Sequence, residues 1–595
     1  MTKTIRIGCA SGFWGDSMTA APQLIHKGEL DYLVFDYLAE ITMSIMARQR
    51  AKDPNAGFAH DFVSVTMKQH LKDVAEKGIK VISNAGGVNP KACGEALEML
   101  IAELGLELKV AWVTGDDLLD RAQSLAAAGT KEMFSGEDFP PLDKIMSVNA
   151  YLGARPIAEA LARGADIVVT GRGVDSAVTL GACMHEFGWS DEDYDQLAGG
   201  SLAGHIVECG AQATGGLFTD WDKVEGWENI GYPIAEVSTD GSFVLTKPEG
   251  TGGLVSFGTV AEQMVYEIGD PQAYLLADVV CDFSQVHIEQ AGETRVRVSN
   301  AKGRAPTPTY KSSVTYRDGY RVGTYLTIGG IDAAAKARKT AEAVLTRARG
   351  ILRARNAPDF TETSVEVVGA EDSYGPNARQ VNPRTVILKL AAKHEDPLAL
   401  SMLLRELVSS GTSMSPGTTG MGGNRSKPSP VVRLFSCLVP KRDVPVSIHT
   451  GGEESFIEIP HGEEFNPDAL MRPDGSSESP DDDGVIVPLI KLAYGRSGDK
   501  GNHANIGIIA RRAEYLPYIR AALTKDAVAN YMAHTEHTGV TRYDLPGING
   551  LNFLLENALG GGGIASLRND PQGKAYAQML LDFPVSIPTS MGKKL

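Results

Sequence analysis

Cysteine is scarce in this 595-residue chain: six residues (Cys9, Cys93, Cys183, Cys209, Cys281 and Cys437), widely spaced, with no C-x-x-C pair. That usage excludes a disulfide framework, and a reduced, cytoplasmic protein is expected. Long apolar runs are missing as well. None reaches the roughly 18–20 residues that cross a bilayer, and the first residues lack a signal-peptide pattern, so no membrane attachment is expected. Positive charge is in short supply: 57 Lys and Arg against 74 Asp and Glu give a formal net charge of −17. Such a balance argues against binding along a nucleic-acid backbone, while leaving room for a small ligand. Neither the G-x-G-x-x-G fingerprint with its acidic partner nor G-x-x-x-x-G-K-[ST] occurs, which disfavours a nicotinamide or ATP enzyme.

Glycine, by contrast, is abundant at 65 residues and collects in short loops. Such clusters point to tight turns and close backbone approach. The length exceeds what one hydrophobic core sustains, about 250–300 residues, so at least two domains are expected.

Residues 1–220 alternate strand and helix signals, with strands near 5–10, 30–36, 78–83, 108–114 and 166–170. Unalternating apolar strands of this kind predict a mostly parallel sheet with helices on both faces, an α/β fold. Residues 221–319 turn β-rich. Residues 320–460 read βαββαβ, the order of a ferredoxin-like unit, with strands at 322–329, 363–369, 384–392 and 431–438 and helices at 331–356 and 397–409. An acidic, Pro/Gly/Ser-containing stretch at 461–484 predicts a mobile linker. Residues 485–595 form a small α+β domain, with 575–583 read as its closing strand. Residues 411–425, rich in glycine and threonine, suggest a lid or binding loop.

Several phrases recur together: Asp36-Tyr37-Leu38-Ala39-Glu40, Ser83-Asn84-Ala85-Gly86-Gly87, Thr170-Gly171-Arg172 with Asp175-Ser176, Gly204-His205 with Glu208-Cys209, and Gly252-Gly253. The tail adds Gly495-Arg496-Ser497-Gly498-Asp499-Lys500-Gly501, Asn505, and the 560–563 glycine run with Arg568 and Lys574. In these phrases the chain resembles the acyclic terpene utilisation (AtuA-like) family over almost its whole length. The resemblance implies a large AtuA-type region, 1–460, joined to a C-terminal ferredoxin-like domain. It also implies a catabolic setting in which branched acyclic terpenoids are broken down through acyl-CoA intermediates. It supplies no catalytic residue.

The candidate residues come from chemistry. In a parallel sheet, ligands bind beyond the carboxyl ends of the strands. The loops there hold Asp16, Asn84, Gly86, Gly87, Arg172 and Ser176, and their amides and helix N-termini suit an anion; Gly252 and Gly253 join them as substrate contacts. Arg172 and Asp175 can hold a carboxylate or thioester oxygen beside a base, or form a cap and a structural ion pair. Asp36 and Glu40, four apart, would share a helix face and raise one another's pKa, as general acid–base work needs. His205 and Glu208 are acid–base candidates; with Cys209 they also have metal-ligand spacing, although no metal is expected. Arg496, Ser497, Asp499, Lys500, Asn505, Arg568 and Lys574 suggest an anion nest for the coenzyme A phosphates, or an interface that locks the tail in place. The expected activity is a hydratase or dehydratase on an acyl-CoA. It needs no permanently bound cofactor, coenzyme A arriving as part of the substrate. A homo-oligomer is the default expectation. The alternatives are a non-catalytic subunit of a catabolic complex and a metal-dependent lyase or hydrolase.

Overall fold

The computed structural model describes residues 3–421, 426–473, 484–563 and 565–595. The first unit is built on an eleven-stranded mixed sheet. Its centre is five parallel strands: β1 (Thr4–Cys9), β2 (Tyr32–Phe35), β3 (Lys80–Ser83), β4 (Val110–Thr114) and β6 (Ile167–Val169), in the order β1-β2-β3-β6-β4. Side chains alternate across it. Leu33, Phe35, Val81, Trp112 and Val169 enter one core, under the helices Glu40–Arg50, Lys68–Lys77 and Pro90–Leu104. Tyr32, Val34, Ile82, Val113 and Val168 enter the opposite core, under helices Arg155–Ala162, Ala177–Phe187 and Tyr194–Val207. Both faces are therefore dry, which is why the strands read as unbroken apolar runs.

Most of the β-rich part extends the same sheet, while Tyr274–Leu275, Val280–Asp282 and Lys302–Arg304 form a small three-stranded sheet of their own. Strand β7 (Ile234–Ser238) pairs antiparallel with β1, β8 (Phe243–Thr246) pairs antiparallel with β7, and Arg295–Ser299 and His287–Gly292 continue the sheet. At the far edge the hairpin Ser447–Thr450/Glu453–Phe456 pairs with β4.

The second sheet carries the ferredoxin-like order. Strand Thr309–Gly329 lies between Thr385–His394 on one side and Thr418–Met421 with Ser429–Pro440 on the other, and Glu362–Val368 forms the outer edge. The helices Ala333–Ala354 and Pro397–Ser413 cover one face. The central strand begins at residue 309, well before the expected 322. Its first half pairs with β5 (Ile145–Ala150) of the first unit, so the two sheets are stitched together. Of the expected lid, residues 411–413 end a helix and 418–421 form a strand; residues 422–425 lie outside the described residues.

The tail is a four-stranded antiparallel sheet, Ala493–Lys500, His503–Ala510, Gly550–Glu556 and Gly539–Leu545 in spatial order, with helices packed on it. Two expectations change here. Residues 576–580 are helical (Tyr576–Leu580), and the closing strand is Pro584–Ile587. The glycine-rich stretch 495–500 is part of an edge strand paired with His503–Ala510, and Gly495 N donates instead to the Thr219 hydroxyl at 3.1 Å. Its glycines are there for contact. A Cβ on Gly498 would sit 2.7 Å from Tyr266, and one on Gly507 2.2 Å from Val265. The tail sheet thus lies directly on helix Phe257–Val265. Asn505 donates to Val265 O at 2.7 Å, and Asn552 to Ile268 O at 2.7 Å. Arg511 and Asp220 form a bidentate pair across the same interface, at 2.7 and 2.5 Å.

The stretch expected to be a mobile linker is tied down over its first part. Glu463 N donates to Pro306 O, and Arg472 pairs with Asp270; residues 474–483 lie outside the described residues. Among the described residues no helix is long and apolar enough to cross a membrane.

Substituting Gly507→Val should therefore part the tail from the sheet. Overpacking of this kind costs about 1–3 kcal/mol. Urea unfolding should show a lower midpoint and the single transition resolving into two; an unchanged curve would refute the close contact.

Candidate functional site

The carboxyl ends of the parallel strands converge. Asp36 follows β2, Asn84 follows β3, Asp116 follows β4, and Arg172 and Asp175 follow β6. Asn84 links two of these loops: its Nδ2 donates to Asp36 at 2.5 Å, and its Oδ1 accepts from Tyr37 N at 2.8 Å. Asp116 fixes the β6 loop by accepting from Arg172 N at 2.9 Å, with Asn149 donating to the same oxygen at 3.0 Å.

The expected amide grip is not what these loops form. Gly12 N donates to Asp16 at 2.8 Å, and Gly87 N donates to Asn84 O. A Cβ on Gly86 would strike Thr170 O at 2.5 Å, and one on Gly12 the Cys209 backbone at 2.7 Å. The glycines let loops touch each other, and the loops present side-chain carboxylates. Asp16 also accepts from Tyr232 OH, so its role is local. Ser176 lies against Gly204, holding the start of helix Ala177–Phe187 to the helix that ends at Val207. Gly252 and Gly253 pack on Gly226, Thr214 and Ile230, none of which belongs to the convergent loops.

Helix Tyr194–Val207 delivers the third carboxylate. Asp36, Asp175 and Glu208 lie with carboxylate oxygens within 4.8 Å of one another. His205 Nδ1 stands 3.2 Å from Glu208, and its Nε2 has no hydrogen-bond partner among the described residues. Cys209 is not part of this set: among the described residues the group with metal-ligand spacing at this place is Asp36, Asp175 and Glu208. Asp36 and Glu40 do not share a helix face either. The helix starts at Glu40, leaving Asp36 in the strand-end loop, and the Glu40 carboxylate accepts from Tyr151 OH.

The other two units complete the cleft. Lys311, on the first half of the long strand, lies 3.8 Å from Glu40. Tyr151 is sandwiched between cations, with Arg172 4.1 Å and Lys311 4.7 Å from its ring centroid. From the tail come Asp499, Lys500 and Lys574. Lys574 binds Glu267 at 3.0 Å and Asp499 at 3.2 Å. The Lys500 side chain makes no hydrogen bond or ion pair among the described residues; its ammonium sits 5.2 Å from the Tyr274 ring, which in turn packs against His205. The remaining tail candidates are structural. Arg496 binds Leu217 O and Gln212 and stacks on Tyr266. Ser497 holds Gly573 O at 2.7 Å, and Arg568 binds Thr535 O, Ala558 O and Glu536 within the tail. They form no common nest.

The electrostatics follow from this crowding. Burial, then Asp175 and Glu208, push Asp36 well above the usual carboxylate range, against the pull of Arg172 and Asn84. Burial, Asp175 and Glu267 push Glu208 up in the same way. Burial would raise Glu40 too, but Lys311 and Arg172 outweigh it and hold it at about 2. Burial and Lys500 press His205 down to about 4, so the imidazole is neutral. Burial, then Glu267, brings Asp499 up to about 6. Strand-end reasoning reached Asn84, Arg172 and Asp175, while Asp36 was reached through a helix-face pairing with Glu40 that the structure does not form. It passed over Asp116, which the same rule covers. Lys311, Tyr151, Tyr266, Glu267 and Tyr274 carry no local signal, because only the sheet register and the docked tail bring them here.

A parallel α/β sheet whose strand ends gather carboxylates under two ferredoxin-like units defines a protein with a largely buried acidic cluster suited to proton transfer or to a hard cation. The chain belongs to the acyclic terpene utilisation family AtuA, whose profile it matches over residues 5–450; residues 487–586 match the AtuA ferredoxin-like domain. Membership implies a role in acyclic terpene utilisation. No curated protein matches the chain.

Asp116 gives a stability test. Burial pushes its carboxyl up to about 7. A raised carboxyl stabilises the fold fully below its unfolded value, about 3.9, and that contribution is lost as pH rises through the folded value. Between about pH 4 and pH 7, wild type should therefore lose stability that Asp116→Asn retains, seen as a flatter plot of melting temperature against pH. Parallel plots would count against the buried acid.

Proposed function

We propose that the protein is a lyase that adds or removes water on a branched acyl thioester of terpenoid breakdown, by acid–base chemistry at Asp36, Asp175 and Glu208. One observation carries this reading: three carboxylates lie within 4.8 Å, two of them driven toward the protonated form, under an unpaired lysine. Removing water from a β-hydroxyacyl chain needs a base for the α-hydrogen, an acid for the departing hydroxyl, and a cation for the carbonyl oxygen. Asp175, with its side chain 40% exposed and aligned by Arg172, takes the hydrogen. Glu208 or Asp36 gives its proton to the hydroxyl, the carbon–oxygen bond breaks, and water leaves as the double bond forms. Lys500 faces the developing enolate oxygen. The neutral His205 beside Glu208 keeps that proton local.

The charge count restricts what enters. Six carboxylates (Asp36, Glu40, Asp175, Glu208, Glu267, Asp499) meet four cations (Arg172, Lys311, Lys500, Lys574). This cleft suits the neutral acyl end. Coenzyme A phosphates belong outside it, and Arg496 and Arg568 are already engaged elsewhere.

The 4.8 Å spacing favours one second reading: a hard divalent cation on the three carboxylates, since such ions take oxygen ligands. Infrared spectroscopy separates the two. A protonated carboxyl band at neutral pH, lost in Glu208→Gln or Asp36→Asn, supports acid–base work; its absence, with stoichiometric metal in the purified protein, supports the cation. For activity, branched enoyl- and hydroxyacyl-CoA thioesters should change by the mass of one water. Lys500→Met should lower kcat about 100-fold. Unchanged thioesters across a broad panel would refute the lyase.

A further inference from the structure

A second hollow lies apart from the carboxylate cluster, where the segment before the tail crosses the first unit. Pro156, Pro306, Ile459 and Tyr310 line it, with the charged groups of Lys441 and Asp278 and the Arg155–Asp191 ion pair. Lys441 begins the turn after strand Ser429–Pro440 and is only 2% exposed. A buried ammonium has three N–H donors to satisfy. Lys441 uses one, on Ala277 O at 2.7 Å, and the Tyr310 ring, 5.6 Å away, offers partial compensation. It has no ion-pair partner among the described residues.

The neighbouring charges are otherwise engaged. Asp278 accepts from Ala154 N at 2.8 Å, and Arg155 pairs with Asp191 at 2.9 Å. Burial draws the Lys441 amine down to about 8, with Asp278 pulling the other way. A buried cation with unmet donors is costly, and an anion accepting those donors removes the cost.

We propose that this hollow binds the carboxylate group of a small monocarboxylic acid, with the Lys441 ammonium as its counter-ion. Two features set the class. The single uncommitted cation matches one negative charge, and Asp278 on the wall repels a dianion. The cavity is small, about 20 Å³, so its proline and isoleucine walls restrict the alkyl part to a very short one.

Acetate, titrated calorimetrically into the full chain, should bind one per chain and raise its melting temperature, while sulfate should do neither. Lys441→Met should weaken binding by a factor on the order of ten or more. Should that variant fold poorly by circular dichroism, Ile459→Trp, which fills the hollow from its rim and leaves the lysine in place, decides the matter by the same loss. The proposal fails if acetate does not bind up to about 50 mM, if both variants bind as wild type does, or if sulfate binds as well as acetate. None of these readouts depends on the lyase reaction.

Discussion

Compensation of buried negative charge governs this structure. Carboxylates held close together in a poorly solvated cleft repel one another, and each must find a cation, a proton or a metal ion. No single unit supplies enough positive charge. The parallel sheet contributes Arg172, the ferredoxin-like unit Lys311, and the tail Lys500 and Lys574. The units are electrostatically interdependent, and the cleft exists only where all three meet. The four cations still fall two short of the six carboxylates. Burial first, and this shortfall second, raise the affinity of Asp36 and Glu208 for protons.

Glycine makes that meeting sterically possible. Gly12 admits the Cys209 backbone, Gly204 admits Ser176, and Gly86 admits Thr170 O. In each case the contact is backbone to backbone or nearly so, and it brings a carboxylate-bearing loop within reach of the next. In the tail the same economy flattens a strand pair: Gly498 and Gly507 leave room for Tyr266 and Val265 of the supporting segment. A glycine-rich strand sacrifices side-chain packing and conformational entropy. Here the lost contacts are replaced by the Asn505 and Asn552 side chains, which bond the opposing backbone directly.

This explains where sequence reasoning succeeds and where it stops. Strands β1 to β4 and β6 are legible because burial on both faces leaves an unmixed apolar run ended by a glycine or polar loop. The βαββαβ order of the second unit is legible from its two helices. The site is half legible. Strand-end position marks Asn84, Arg172 and Asp175, since topology alone places them together; Asp36 occupies the same kind of position after β2, but its pairing with Glu40 suggested a helix instead. Residues 495–501 mislead because glycine, serine and charge are the composition of a turn as well as of a strand flattened for docking. Only the pairing with His503–Ala510 and the contact with helix Phe257–Val265 distinguish the two. Lys311 is hidden for another reason: it reaches the cleft through register, as Ser312 pairs with Ala150 and Tyr151 N donates to Lys311 O.

Glu267 shows how closely tail docking and site formation are joined. Its backbone is left-handed, with φ of 57°, in a residue that gains nothing from that conformation. Such a geometry costs about 1–3 kcal/mol and persists only where surrounding contacts enforce it. The enforcing contacts come from the tail: Asn505 accepts from Glu267 N at 3.0 Å, and Lys574 holds its carboxylate at 3.0 Å. In that pose burial would raise the Glu267 carboxyl, but Lys574 and then Lys500 hold it below its ordinary value, and its charge adds to the pressure that drives Glu208 toward protonation. A contact made for docking thus adds to the effect of burial and Asp175 on the proton affinity of Glu208. The small domain belongs to the chemistry of the cleft as much as the sheet it covers.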